Sequence, residues 1–263
     1  MYYHVYKYQS IIEGLIKSAS AGFFWYNEFM KISQAKASKL AGKLYNQIGL
    51  QHERIRDEGK IDSEVLNKLL NLFPRNLSGK TIFDAGGGSG HFSQLALERG
   101  AKKVICMDIS DLMLQLAKKR KTKFNLNNLE IRKGDFTKTK LLTRSVDIIL
   151  SIYALPHVSD LNKAFKEFSR VLKPKGSLFV ASDYYDVKKE NLIGQKVDYE
   201  LGNMKLKGFI HIKSEIQQIA EQNNLHQSQF FTIQKPTGLR IGKNFLWKRF
   251  LKIHSFGAVF TKK

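Results

Sequence analysis

Cysteine is nearly absent: Cys106 stands alone in 263 residues. No intramolecular disulfide and no Cys-rich zinc site can be built from it. Within the apolar run Val104-Ile105-Cys106-Met107 it reads as a small core residue, and a lone thiol fits a reducing compartment. Long hydrophobic runs are missing too. None reaches the ~18 residues of a spanning helix, and the best N-terminal stretch, Ala21 to Met30, is interrupted by Asn27 and Glu28. The opening Met1-Tyr2-Tyr3-His4 lacks a signal-peptide pattern, so a cytoplasmic chain is expected. No HxxxH or CxxC spacing is present, so no metal is expected. Acidic residues are scarce, and none follows Glu221.

What is abundant is positive charge. The net charge is +21, and the acid-free tail holds Lys235, Arg240, Lys243, Lys248, Arg249, Lys252, Lys262 and Lys263. An acidic partner explains this: RNA, an anionic membrane surface or a phosphorylated substrate. Compositional drift in a lysine-, isoleucine- and asparagine-rich chain explains it equally. The one-signed tail is harder to attribute to drift than a uniform excess.

From about residue 80 the pattern alternates between short β-branched runs and amphipathic stretches. Strands are expected at Thr81–Phe83, Lys103–Met107, Leu129–Arg132, Val146–Ser151 and Ser177–Ala181. Helices are expected at Phe92–Arg99, Asp111–Phe124 and Leu161–Leu172. This rhythm predicts an α/β fold with a doubly wound, mostly parallel sheet and right-handed crossovers. Lys213–Gln222 then reads as a helix, with strands at Gln229–Gln234 and Phe256–Thr261. Residues 184–212 are polar and irregular, which suits a lid or substrate loop. Upstream, residues 9–47 and 63–73 read as helices, so residues 1–75 form an expected helical cap on a domain spanning 76–263.

The informative stretch is Asp84-Ala85-Gly86-Gly87-Gly88-Ser89-Gly90, between a strand and a helix. Glycines let the backbone turn sharply and approach a ligand, and the next helix offers free N–H groups at its positive end. The dinucleotide fingerprint fails, because His91 stands where its last glycine belongs. A phosphate loop fails for want of Gly-Lys-Ser/Thr. The pattern D-x-G-x-G-x-G, with Asp108 closing the second strand 18 residues after Gly90, resembles motif I of the class I methyltransferases that use S-adenosylmethionine (SAM). Gly134-Asp135-Phe136, Ser151 to His157, and Val171-Leu172-Lys173-Pro174-Lys175-Gly176 are similar to the family's later segments. The resemblance covers about residues 80–182 and implies a seven-stranded Rossmann-like sheet with SAM as cofactor. It makes Asp84, Gly86, Gly87, Gly88, Gly90, Asp108, Ile109, Met113, Asp135, Phe136 and Ser151 the cofactor-binding set. Within that set Asp108 accepts the ribose hydroxyls, Asp135 accepts the adenine amino group, and Phe136 lies beside the ring.

Methyl transfer from a sulfonium needs alignment and exclusion of water, plus a base when the nucleophile carries a proton. His157, following the fourth strand, is the first candidate base or a positioning residue; Tyr153 and Asp183 are further candidates at the acceptor site. Tyr184 and Tyr185 either line that site or pack. Trp25, Tyr26 and Tyr45 either fold over the cofactor or belong to a helical core. Ser151-Ile152-Tyr153-Ala154 replaces the D/N-P-P-Y/F tetrad of amino-methylating nucleic-acid enzymes. A small-molecule O, N or C acceptor is therefore the leading expectation. RNA methylation through Lys118-Lys119-Arg120-Lys121 is an alternative. So is peripheral-membrane lipid or quinone work through the basic, aromatic segment 235–255.

Overall fold

The computed structural model describes residues 33–57, 63–187, 196–201, 204–209, 211–234 and 251–263. Trp25, Tyr26 and residues 235–250 lie outside them. Helix α1 spans Gln34–Asp57 and α2 spans Ser63–Leu72. Strand β1 (Thr81–Ala85) leads to α3 (His91–Glu98), β2 (Lys103–Asp108) to α4 (Asp111–Lys123), and β3 is Leu129–Lys133. Strand β4 (Val146–Ile152) runs into a short 3-10 helix, Leu155–His157, and α5 (Leu161–Val171). Strands β5 (Leu172–Val187), β6 (Lys196–Leu201) and β7 (Met204–Phe209) precede α6 (Lys213–Gln222), β8 (Leu225–Gln234) and β9 (Leu251–Lys262).

The main sheet has seven strands in the order β3-β2-β1-β4-β5-β9-β8. Strands β1 to β5 pair in parallel, and β9 runs antiparallel to both β5 and β8. The expected sheet is therefore present. Successive residues of each strand face opposite sides, and both sides are apolar. Phe83, Ile105 and Ile149 pack with Phe165 and Phe168 of α5 on one face. Ile82, Val104, Cys106 and Leu150 pack with Leu69, Phe73 and Phe92 on the other. Helix α5 shows why: Leu161, Ala164, Phe165, Phe168 and Val171 form one buried helical stripe. Its start is fixed by Asp160, whose carboxylate accepts the Lys163 N–H.

Two sequence expectations change. Strand β5 starts directly after α5, with a register break that absorbs Lys173 to Gly176, and extends to Val187. Its long partner β9 pairs along that whole extension, through Val187 and Leu251. The segment read as irregular at 184–212 also contains a two-stranded hairpin, β6 with β7. Alternating Val197, Tyr199 and Leu201, followed by Gly202-Asn203, form a hairpin signal that the lysine content hid.

Candidate functional site

In a sheet of this order ligands bind beyond the carboxyl ends of the strands, where the chain switches direction between β1 and β4. The glycine loop after β1 lies there. Gly86 and Gly87 donate their N–H groups to the Met107 carbonyl, folding the loop back over β2. Gly86 has φ of 72°, and a Cβ on it would come 2.6 Å from the Ala154 Cβ. The loop therefore touches the turn after β4, and only glycine fits the contact. Asp84 is buried inside the loop and accepts the Ser93 hydroxyl at 2.6 Å. It buttresses the turn from within. Its charge also adds to burial in pushing the Cys106 thiol up, so Cys106 stays a protonated core residue.

Asp108 ends β2. Its Oδ2 accepts the Gly88 N–H at 3.0 Å and its Oδ1 accepts the Ser110 N–H at 2.8 Å. Both bonds come from backbone N–H groups, which orient the carboxylate at the strand end. Ser110 caps α4 by accepting the Met113 N–H, and Met113 is buried beneath the loop, its sulfur facing Gly88. Ile109 packs on Gly42 of α1. Asp135, in the loop after β3, accepts Thr137 N–H and O–H on one oxygen and the Ser38 hydroxyl on the other. Phe136 stacks on core Phe168 at 5.7 Å and passes beneath Gly86. Ser151 is fully buried at the end of β4, and its Oγ has no hydrogen-bond partner among the described residues. Such an orphan costs about 1–3 kcal/mol unless a ligand or water satisfies it. A carboxylate oriented by backbone N–H groups, a glycine cradle and a buried hydroxyl without a partner among the described residues, all on one edge, fit an adenosyl amino-acid cofactor.

Sequence reasoning missed most of the fourth wall. One face of α1 lies along this edge and touches each loop in turn. Gln34 accepts from the Ser159 N–H, and Ser38 binds Asp135. Tyr45 meets His157 at 3.0 Å, and Asn46 accepts from Ser110 Oγ and the Leu112 N–H. Glu53 accepts the Ser89 hydroxyl and pairs with Arg120 at 2.6 Å, while Arg120 also holds the Ser89 carbonyl and Gln94. A signal was available. Gly42 and Gly49 fall on the same face inside a helix, where glycine costs about 1 kcal/mol relative to alanine. Gly49 earns its place, since a Cβ there would meet Leu112 at 3.0 Å.

The remaining candidates separate. Tyr153 holds a left-handed φ of 55° at the turn after β4, a conformation seldom adopted by aromatic residues. Asp183 is half-buried on β5 and accepts the Ser255 hydroxyl at 2.7 Å. Tyr184 is packed in an aromatic group with Phe230, Phe256 and His254. The basic run on α4 divides as well: Arg120 ties down the glycine loop and Lys121 caps the Leu129 carbonyl, leaving Lys118, Lys119 and Lys123 exposed. Strand β7 lies against both α1 and the 3-10 helix that carries His157. Among the described residues no helix is long and apolar enough to cross a membrane, and no His, Cys, Asp and Glu group could hold a metal ion.

Residues 83–180 match a family model described as a methyltransferase domain. A ubiquinone/menaquinone biosynthesis C-methyltransferase of Rickettsia typhi is 30% identical over 168 residues, covering 61% of this chain and 66% of that one. An uncharacterized methyltransferase of Oceanobacillus iheyensis is 34% identical over 134 residues, covering 49% of this chain and 60% of that one. The chain thus spans somewhat under two thirds of the length of these relatives. A geranyl diphosphate C-methyltransferase from Streptomyces coelicolor shares the fold, with a TM-score of 0.60 at 14% identity over 78% of each chain. The glycine loop, the acid closing β2 and the strand order agree with these likenesses, and the chain belongs to the class I SAM-dependent methyltransferases.

Proposed function

We propose that this protein transfers the methyl group of SAM to a small-molecule acceptor with an oxygen, nitrogen or carbon nucleophile. The observation that carries this reading is the double cover over the sheet edge. Helix α1 binds the loops after β1, β2, β3 and β4, and β7 lies against α1 and the 3-10 helix. A site roofed from two sides excludes water and suits a compact acceptor better than a duplex or a folded RNA. A curated relative supports the choice, since it is named for ubiquinone/menaquinone biosynthesis.

When bound, SAM supplies a methyl group already activated on a sulfonium. The chain's own residues then have four tasks. Asp108 takes the ribose hydroxyls, the Gly86 to Gly90 loop admits the amino-acid part, and Asp135 with Ser38 borders the adenine. Ser151 offers a hydroxyl at the floor. The cap and the hairpin keep water out, and His157, Tyr153 and Asp183 border the acceptor. Calorimetric titration with S-adenosylhomocysteine, with NAD as control, tests the cofactor half. Binding near micromolar Kd, about −8 kcal/mol, is expected. Methyl transfer to a panel of phenols, amines and quinols, against a transcript of RNA, tests the acceptor half. Turnover of RNA alone would reject the small-molecule reading.

A further inference from the structure

Tyr45 Oη lies 3.0 Å from His157 Nε2, with the two rings edge to face at 5.2 Å and 89°. His52, two turns further along α1, makes a second edge-to-face contact with the same phenol ring at 5.4 Å. The phenol thus reaches the turn after β4 from the cap helix, held by an imidazole on its own helix. That turn is the one touched by the glycine loop, through Ala154 against Gly86. Both neighbours of Tyr45 along α1 are anchored to the same edge, Ser38 to Asp135 and Asn46 to Ser110.

A neutral imidazole has one ring lone pair. When the Tyr45 O–H donates to Nε2, that lone pair is taken, and an acceptor's proton has no direct route to it. A proton that reaches Tyr45 Oη can pass along that bond to Nε2. We propose that Tyr45 is the catalytic residue that takes the acceptor's proton, with His157 as the positioning residue that stores it. This rests on the methyltransferase reading above. The acceptor's O–H or N–H bond breaks toward Tyr45 Oη, and the phenol's own proton passes to His157 Nε2. The electron pair left on the acceptor atom forms its new bond to the methyl carbon. The imidazolium gains the positive charge that the sulfonium gives up, so charge and protons balance. The pair narrows the acceptor to a hydroxyl, phenol or ammonium-derived amine, nucleophiles that carry a proton near neutral pH. It also ties chemistry to closure, because the relay is complete only with α1 seated on the sheet.

The test uses the full chain labelled with 15N-histidine and saturated with S-adenosylhomocysteine. Long-range proton–nitrogen correlation spectra report the His157 tautomer. Wild type is expected to carry its proton on Nδ1, with Nε2 unprotonated and hydrogen-bonded, and Tyr45→Phe is expected to move that Nε2 resonance. A proton found on Nε2 in wild type, or a spectrum indifferent to Tyr45→Phe, overturns the relay. This measurement needs no acceptor and decides the pair by itself. With any acceptor from the panel, Tyr45→Phe and His157→Asn should each lower kcat about a hundredfold. KM for SAM should change less than about threefold, and the double variant should be no slower than either single one. Additive losses, or a Tyr45→Phe enzyme with full kcat, reject the proposal. Calorimetry on wild type separates the two readings: no binding of S-adenosylhomocysteine removes the parent function, whereas normal binding with a failed spectrum removes only the relay.

Discussion

At the amino edge of the sheet Asp147 sits between Lys173 at 2.8 Å and Lys80 at 4.0 Å, and also accepts the Thr81 N–H. Glu130 there meets Lys103 at 2.6 Å and also Arg132, and Glu167 is held by Arg170 and Thr139. At the carboxyl edge Asp84, Asp108 and Asp135 meet backbone N–H groups and hydroxyls in the hydrogen bonds above. An ion pair on that side, Glu53 with Arg120, clamps the outside of the glycine loop. Carboxylates that hold the fold are thus neutralised by cations. At the carboxyl edge the hydrogen bonds above come from neutral donors, which orient a carboxylate without cancelling its charge.

Breaking the ligand edge should have the largest effects. Gly86→Ala forces a Cβ into Ala154 at a left-handed position. A loss of about 2–5 kcal/mol in stability is expected from backbone strain and overpacking together, seen by thermal unfolding, with S-adenosylhomocysteine binding abolished. Asp108→Ala should leave the fold intact and weaken that ligand about ten- to a hundredfold, the worth of charge-assisted hydrogen bonds, by calorimetry. A variant binding as well as wild type would remove Asp108 from the ribose site.

Changes at the amino edge should affect stability alone. Burial raises the Asp147 carboxyl, but Lys173, the Thr81 N–H and Lys80 together bring it below the ordinary range. For Glu167, burial is likewise outweighed by Arg170 and Thr139, and for Glu130 the hydrogen bonds from Arg132 and Lys103 dominate. A lowered folded pKa adds stability above the unfolded value, near 4, and this is lost as pH falls through the folded value. Asp147→Asn should therefore cost about 1 kcal/mol at neutral pH, and the difference from wild type should vanish in acid. Denaturant titration at pH 7 and pH 3 measures it; an equal gap at both would exclude the ion pair as its source.

The sharpest control is a second left-handed glycine. Gly79, in the turn before β1, has φ of 75° and open space where a Cβ would go. Gly79→Ala should cost only about 1 kcal/mol of backbone strain and leave ligand affinity unchanged. If Gly79→Ala and Gly86→Ala cost the same, the contact with Ala154 carries no weight.

The parallel core was readable because each strand there is a short apolar run and each helix a clear stripe, as in Val146–Ser151 and Leu161–Val171. Strand β5 was read too short because its last residues are polar, and their pairing depends on β9, which lies far along the chain. The hairpin β6–β7 was missed because its alternation is interleaved with lysines. At the site, Asp108 and the glycines carry a local spacing that chemistry demands. Ser38, Asn46 and Glu53 carry none, since their partners lie 36 to 97 residues away.

By itself the sequence determined the alternation of strands and helices, the glycine turn and the acid closing the second strand. These are local matters of backbone freedom, side-chain period and short spacing. Only the tertiary structure decided that α1 closes the sheet edge, that Asp135 is bordered by Ser38, and that Tyr45 meets His157. Each of those contacts joins groups distant in the chain. Their geometry follows from how a helix packs across loop ends, and no local pattern encodes it.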